Sequence, residues 1–382
     1  MGVSVTTPAS ATGVKLFIDP LSHHFERDRV FDSGSSPYGG DSILEPYAHT
    51  RRVLAEQGIA VHTPDLLESG AVAPGDVNVY VTMGIRDRYR RLRSRPDVVM
   101  SAFFVPECPI AEPRLYRDLA DAASCFKRMY SFSTGNALRP FLTQPIEFEP
   151  FRFPQAFDHV HESVWAQRER AFMTIINANK LPRLSTNELY SERMRAVEFF
   201  ARYDEIDLYG IGWDGPPFRL GTTRVPAHAR RVAYLAERRW RTLVPDRDPL
   251  RVAARKAWRG AVASKAATLG GYTFAICFEN MILEGWITEK VFDCFYAGTV
   301  PIYLGAPDVE QWIPRDCYVD MRDFADYGEL RAYLHGLSPA AVDGYREAAR
   351  AFLGSDAFYP FSKDAFAARF AEIVAEDAGV RV

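Results

Sequence analysis

The sequence predicts an α/β chain built as two halves, each a parallel sheet flanked by helices, with a cleft between them. Three observations predict this. Short apolar runs alternate with longer helical patterns along the chain, as expected for strands joined by helical crossovers. The length of 382 residues exceeds what one core holds, since single cores stop growing near ~250–300 residues. Between positions 139 and 170 the pattern weakens around Pro140, Pro145, Pro150 and Pro154 and a charged stretch ending in QRER, which puts a boundary near 160–170.

The elements follow in order. KLFID (15–19), VHTP (61–64), VNVYVT (77–82), VVMSAFF (98–104) and FKRMYSF (126–132) read as strands. Between the first two, ILEPYAHTRRVLAEQG (43–58) places Leu44, Tyr47, Val53 and Leu54 on one helical face, with Gly58 as the stop. In the second half FMTIIN (172–177), IDLYGIGW (206–213), FAICFEN (274–280), VPIYLGA (300–306) and YVDM (318–321) read as strands. Helices are expected over 186–203, capped by Ser185 or Thr186, and over 288–298, 328–336, 340–353 and 362–377.

Composition excludes several classes. Hydrophobic residues make up 47% and charged residues 25%, the proportions of an ordinary soluble protein. The net charge of −3 gives no global pull toward nucleic acid, and none is expected as a partner. No run of roughly 18 apolar residues is present to span a membrane. The opening stretch MGVSVTTPASATGV reads as a frayed tail rather than a signal peptide, so a cytoplasmic location is expected. Five cysteines, at 108, 125, 277, 294 and 317, have no metal-ligand spacing and read as reduced thiols. Two basic runs, RDRYRRLRSRP (86–96) and the stretch from HARRVAYLAERRWRTL to RKAWRGAVASK, read first as solvated helical faces. The sharper reading is a patch for an anionic acceptor, with peripheral contact at the inner membrane surface.

The stretch CFENMILEGWITEKVFDCFYAGTVPIYLGA (277–306) carries the chemistry. FAICF is a continuous apolar run, as a strand buried on both faces requires. Glu279 and Asn280 stand where that strand ends. Trp286 follows Gly285, Thr288 can cap the next helix, and Gly298 can end it. That helix opens with Glu289 and Lys290. Free N–H groups, the helix dipole and a lysine suit a phosphate. Glu289 either favours the dipole or accepts hydrogen bonds from sugar hydroxyls. The plain alternative is a well-capped helix with a surface Glu–Lys pair. The convergence of Glu279, Asn280, Trp286, Glu289 and Lys290 on one strand-to-helix crossing weighs against it.

FAICFEN, WITEK, AGTVPIYLGAP and MRDF, at this spacing over residues 274–324, closely resemble the α1,3/α1,4-fucosyltransferases of glycosyltransferase family 10. The resemblance implies two Rossmann-like domains facing across a cleft, the GT-B arrangement, and inverting transfer of fucose from GDP-fucose. It implies that Asn280, Glu289 and Lys290 contact the donor, Glu289 through fucose hydroxyls and Lys290 through phosphates. Trp286 stands where the family has Tyr, and an indole N–H can only donate. MTIINANK, SERMRAVEFF and DLYGIGW resemble a second family segment and make Arg193 the donor-binding arginine, with Arg195 its competitor. SAFFVPECPI resembles a third, and makes Glu107 the general base. Glu279, Lys180 and Asn177 are secondary candidates.

The expected domains are 1–165, with the base; 166–355, with the donor; and 356–382, a C-terminal helix that packs back on the first domain. No Asp-x-Asp stands at a strand end, so no metal is obligatory and Mn2+ or Mg2+ is at most stimulatory. A glycan or glycoconjugate is the expected acceptor. Two alternatives stay open: the same machine with another nucleotide sugar, and a catalytically silent nucleotide-sugar-binding protein.

Overall fold

The computed structural model describes residues 13–34, 43–84, 87–167, 169–182, 186–215, 217–220 and 248–379, with isolated positions between 221 and 247. The opening tail, the expected cap Ser185 and most of the basic stretch 228–243 lie outside the described residues.

The first domain holds β1 (Val14–Asp19), β2 (Ala60–His62), β3 (Val77–Thr82), β4 (Val98–Val105), β5 (Arg128–Ser131) and β6 (Glu149–Pro150) in one parallel sheet of order β2-β1-β3-β4-β5-β6. The second holds β7 (Ala171–Ile176), β9 (Ile206–Tyr209), β11 (Tyr272–Phe278), β12 (Val300–Leu304) and β13 (Val319–Asp320), ordered β13-β12-β11-β7-β9, again all parallel. A small pair, β8 (Lys180–Pro182) with β10 (Phe218–Leu220), stands beside it. The architecture is the expected one of two Rossmann-like α/β units. Each sheet reverses strand order once, between β1 and β3 and between β7 and β11. Ligands of open parallel sheets sit outside the carboxyl ends of the strands at such reversals.

β11 is central, and its alternation serves two cores. Phe274, Ile276 and Phe278 pack with Met173, Ile175 and Phe200 on one face. Ala275 and Cys277 pack with Val291, Cys294 and Phe295 of the helix Glu289–Ala297 on the other. That helix ends at Gly298, with φ 66°. The helix expected over 186–203 is Tyr190–Ala201, and Thr186 does not cap it. The first-turn N–H of Ser191 goes instead to the Glu188 carboxylate at 3.0 Å. The helix Pro249–Ala257 falls in the stretch expected to be helical, whereas the helices Pro113–Ala123 and Lys265–Gly270 and the β8–β10 pair do not follow from the sequence pattern.

The C-terminal helix Lys363–Ala378 lies on the first domain, with Phe366, Phe370, Ile373 and Val374 in that domain's core. Its Asp377 is buried and accepts from Lys127 at 2.8 Å and Arg128 at 3.1 Å. Tyr190, Met281, Leu283 and Trp286 of the second half join the same core, so the two domains share apolar contact. Among the described residues no helix is long and apolar enough to cross a membrane.

The described arginines of the basic run 86–96 are ion-paired, as the plainer reading of that run has it. Arg88, Arg90, Arg91, Arg93 and Arg95 each pair with a carboxylate, among them Glu68, Asp97 and Asp121. The acids come from elsewhere in the chain or from within the run, which a count of basic residues does not register.

Candidate active site

The carboxyl end of β11 is built from the inside out. Glu279 is fully buried. Its carboxylate accepts the Thr288 N–H at 2.8 Å, the Thr288 hydroxyl at 2.9 Å and the Lys290 ammonium at 3.0 Å. Lys290 also donates to the Thr288 hydroxyl at 2.8 Å. Thr288 occupies the cap position, but its hydroxyl is turned to Glu279 rather than to the helix. Glu279 therefore acts as an anchor for the helix start. Gly305, at the end of β12, makes room for it: a Cβ there would lie 2.6 Å from Glu279 Cγ.

Arg193 fills the β7/β11 reversal from the helix Tyr190–Ala201. It is 4% exposed. Its Nε and Nη2 donate to the Phe278 carbonyl at 3.1 and 2.6 Å, Nη1 to Asn177 Oδ1 at 3.0 Å, and Nη2 to Asn280 Oδ1 at 3.1 Å. The guanidinium also lies 4.7 Å from the Tyr190 ring centre. Every hydrogen-bond partner is a neutral oxygen. A charge buried without a counter-ion is costly, and an anion brought beside it is strongly favoured.

Glu107 faces this cluster from the first domain, two residues past β4. Its Oε1 accepts its neighbour Cys108 N–H at 2.9 Å and lies 3.5 Å from Asn280 Nδ2. The Tyr116 hydroxyl fixes the Glu107 carbonyl at 2.7 Å. Burial pushes the Glu107 carboxyl above its ordinary value, against the Cys108 N–H and the Lys290 charge. A raised carboxylate pKa at a cleft suits a general base.

Trp286 is buried between the domains. Its ring stands edge-on to Phe132, centroids 5.1 Å apart, and its indole N–H has no protein partner. The loop before it is clamped. Asp308 accepts the Gly285 N–H at 2.8 Å, and Ser133 donates to the Glu284 carbonyl. Gly285 has φ 72°, and a Cβ there would lie 2.1 Å from the Phe132 carbonyl oxygen, so only glycine lets the two domains approach.

Arg193, Lys265, Glu289, Lys290, Asp293 and Cys277 are among the residues that line an open pocket of about 120 Å³ beside β11. Burial pushes the Glu289 carboxyl up, but Lys290 and Lys265 outweigh it and hold its pKa at about 2. Burial depresses the Lys290 ammonium, but Glu279 and Glu289 hold it well above its usual range. Both stay charged at any working pH. Sequence reasoning missed Lys265, which bonds Asp293 at 2.7 Å across 28 positions. No local pattern signals that pair.

The structure thus brings together Glu107, Asn177, Arg193, Glu279, Asn280, Glu289 and Lys290, with Trp286 in the adjoining interdomain layer. Two candidates stay outside. Arg195 is exposed and paired with Glu192 at 2.6 Å, one turn of reasoning away from Arg193 but on the outer side of its helix. Lys180 is exposed on β8 and makes none of the cluster's hydrogen bonds.

Residues 253–347 match the model of the glycosyltransferase family 10 (fucosyltransferase) C-terminal domain. An α-(1,3)-fucosyltransferase of Helicobacter pylori is 36% identical over 73 residues, 19% of this chain and 15% of that protein. An α-(1,4)-fucosyltransferase of Arabidopsis thaliana is 37% identical over 76 residues, 19% of each. The matched stretch therefore spans only 15–19% of the length of these relatives. Among solved structures, an α-glucosyltransferase in complex with UDP and DNA superposes with a TM-score of 0.51 at 12% identity, over 94% of this chain and 99% of that one. That likeness, over 94% of this chain, is one of fold alone.

Proposed function

We propose, from the premise that residues 253–347 belong to glycosyltransferase family 10, that this chain is an inverting fucosyltransferase. It moves L-fucose from GDP-fucose to a hydroxyl of a glycan or glycoconjugate, in α1,3 or α1,4 linkage. One observation carries the reading: a half-buried carboxylate of one domain and the buried guanidinium of the other meet at a single residue, Asn280.

In this reading the diphosphate lies at the start of the helix Glu289–Ala297, against Lys290 and Arg193. Glu289, ionised throughout, accepts hydrogen bonds from the sugar hydroxyls. The acceptor hydroxyl attacks the anomeric carbon from the face opposite GDP, and Glu107 takes its proton as the bond forms. Negative charge develops on the departing diphosphate, where Arg193 and Lys290 stabilise it. These cations supply the countercharge, so transfer proceeds without added metal, and Mn2+ or Mg2+ only stimulates it. Trp286 supports a second reading, transfer of another GDP-sugar, because its unpartnered indole N–H differs from the tyrosine of the resemblance.

The test is Glu107→Gln. Loss of a general base lowers turnover about 10²–10⁴-fold, while GDP affinity stays within twofold. Parent turnover should also fall as pH drops through the raised Glu107 pKa, since only the carboxylate can take the proton. Unchanged turnover in Glu107→Gln would remove it as the base; unchanged turnover in chelator is expected.

A further inference from the structure

Asn280 has a fixed place in a chain of contacts that crosses the cleft. Its Oδ1 accepts from Arg193 Nη2 at 3.1 Å, so its NH2 group must point the other way, toward Glu107 Oε1 at 3.5 Å. The amide cannot flip, because a guanidinium has no lone pair to accept from an amide N–H. Arg193 is itself held by Asn177 and the Phe278 carbonyl. On the far side, Glu107 Oε1 takes both the Cys108 N–H and the Asn280 approach, and the Cys108 side chain also bonds the carboxylate. Both the Cys108 N–H and the Asn280 amide therefore act on the same oxygen, Oε1.

We propose that Asn280 is a positioning residue for Glu107: held by the donor-site arginine, its amide holds the base by Oε1 at the cleft, and couples occupation of the diphosphate site to the readiness of the base. The inference rests on the reading of Glu107 as the base and goes beyond it, since Asn280 then serves the acceptor step as well as the donor. An N–H donated to a carboxylate favours the charged form. Burial raises the Glu107 pKa, and the Cys108 N–H, the Lys290 charge and the Cys108 side chain oppose it; the Asn280 amide is expected to act in the same direction as these three. The other charged or titratable groups that act on Glu107 are Lys290 and Glu289 on the helix Glu289–Ala297, Tyr190 on the helix before Arg193, and Cys108 and Tyr116 of its own domain.

The experiment compares the parent with Asn280→Ala and Asn280→Asp, each checked for folding by its thermal unfolding. The first readout is the pH profile of GDP-fucose hydrolysis, with water as acceptor. The acidic limb should move up by roughly half to one pH unit in Asn280→Ala and further in Asn280→Asp, which sets a carboxylate against the base. The second readout needs no turnover: the Glu107 carboxyl is titrated by carbon-13 NMR, assigned by its loss in Glu107→Gln. Its midpoint should rise in the same order. A raised donor KM with an unmoved acidic limb and an unmoved Glu107 midpoint would overturn the inference and leave Asn280 as a donor contact alone. Full turnover in Glu107→Gln would sink the base reading itself, which is a separate result. If Asn280→Ala does not fold, the near-isosteric Asn280→Asp carries both readouts.

Discussion

The two sheets reverse strand order once each, and the two crevices are filled in opposite ways. At the β1/β3 reversal Asp19 is fully buried, accepting Arg88 Nη1 at 2.5 Å and the Tyr80 hydroxyl at 2.8 Å. Arg88 also bonds Glu26 and Glu68, each at 2.8 Å. Burial disfavours that guanidinium's charge, but the carboxylates outweigh it and hold its pKa well above the ordinary value. At the β7/β11 reversal the buried guanidinium of Arg193 meets only carbonyl and amide oxygens. The same fold feature thus gives two outcomes. An arginine neutralised by its own chain closes a crevice, whereas one that meets only dipoles keeps its charge for an anion. This difference supports the proposal that the diphosphate lies in the second domain and that the first supplies the base, next to strand β4.

The comparison can be broken from either side. Arg88→Met leaves Asp19 buried and uncompensated, and breaking a buried pair from one side costs about 3–5 kcal/mol. Thermal unfolding should show a large drop in Tm, while GDP affinity of the folded fraction stays within twofold. A GDP affinity lowered as strongly as stability would mean that the first crevice also takes part in donor binding.

Arg193→Lys should separate charge from geometry. A lysine keeps the charge but not the fork that reaches Phe278, Asn177 and Asn280 together. Buried acceptors left unpaired cost about 1–3 kcal/mol, so stability falls by less than in Arg88→Met. GDP affinity measured by calorimetry should fall about tenfold. Affinity equal to the parent would show that Arg193 is a structural group.

The smallest effect concerns acid. The Glu289 pKa, about 2 in the folded chain, lies below its unfolded value. Its contribution to stability is therefore present above an unfolded pKa of ~4.3 and is lost as pH falls toward 2. In Glu289→Gln the stability of the second domain should lose less between those pH values than the parent's does. Parallel acid-unfolding curves would contradict the pairing with Lys290 and Lys265.

Much of the site was legible because it is local in sequence. Phe278 to Lys290 puts a strand end, a clamped loop and a helix start within a short stretch, so apolar patterning and turn chemistry mark each part. Gly298 likewise follows from the helix pattern. What was not legible is contact between distant segments. The Lys265–Asp293 pair, the packing of Trp286 on Phe132 and the burial of Arg88 all depend on how elements meet in space. Arg88 sits in a run of arginines that reads as solvated, and nothing in that run tells which member turns inward. Arg195 and Arg193 are equally plausible on the helix by residue type; only the packed structure puts one beneath β11 and the other in water.

In the proposed function, the second crevice binds a guanosine diphosphate through its own cations. The most direct measurement is calorimetric binding of GDP and GDP-fucose, beside UDP and GDP-mannose, to the parent and to Lys290→Ala without added metal. The parent should bind GDP at micromolar concentration, show no comparable UDP binding and bind GDP-fucose more tightly than GDP-mannose, and Lys290→Ala should lose at least tenfold. No GDP binding by the parent, or equal binding by Lys290→Ala, would contradict it.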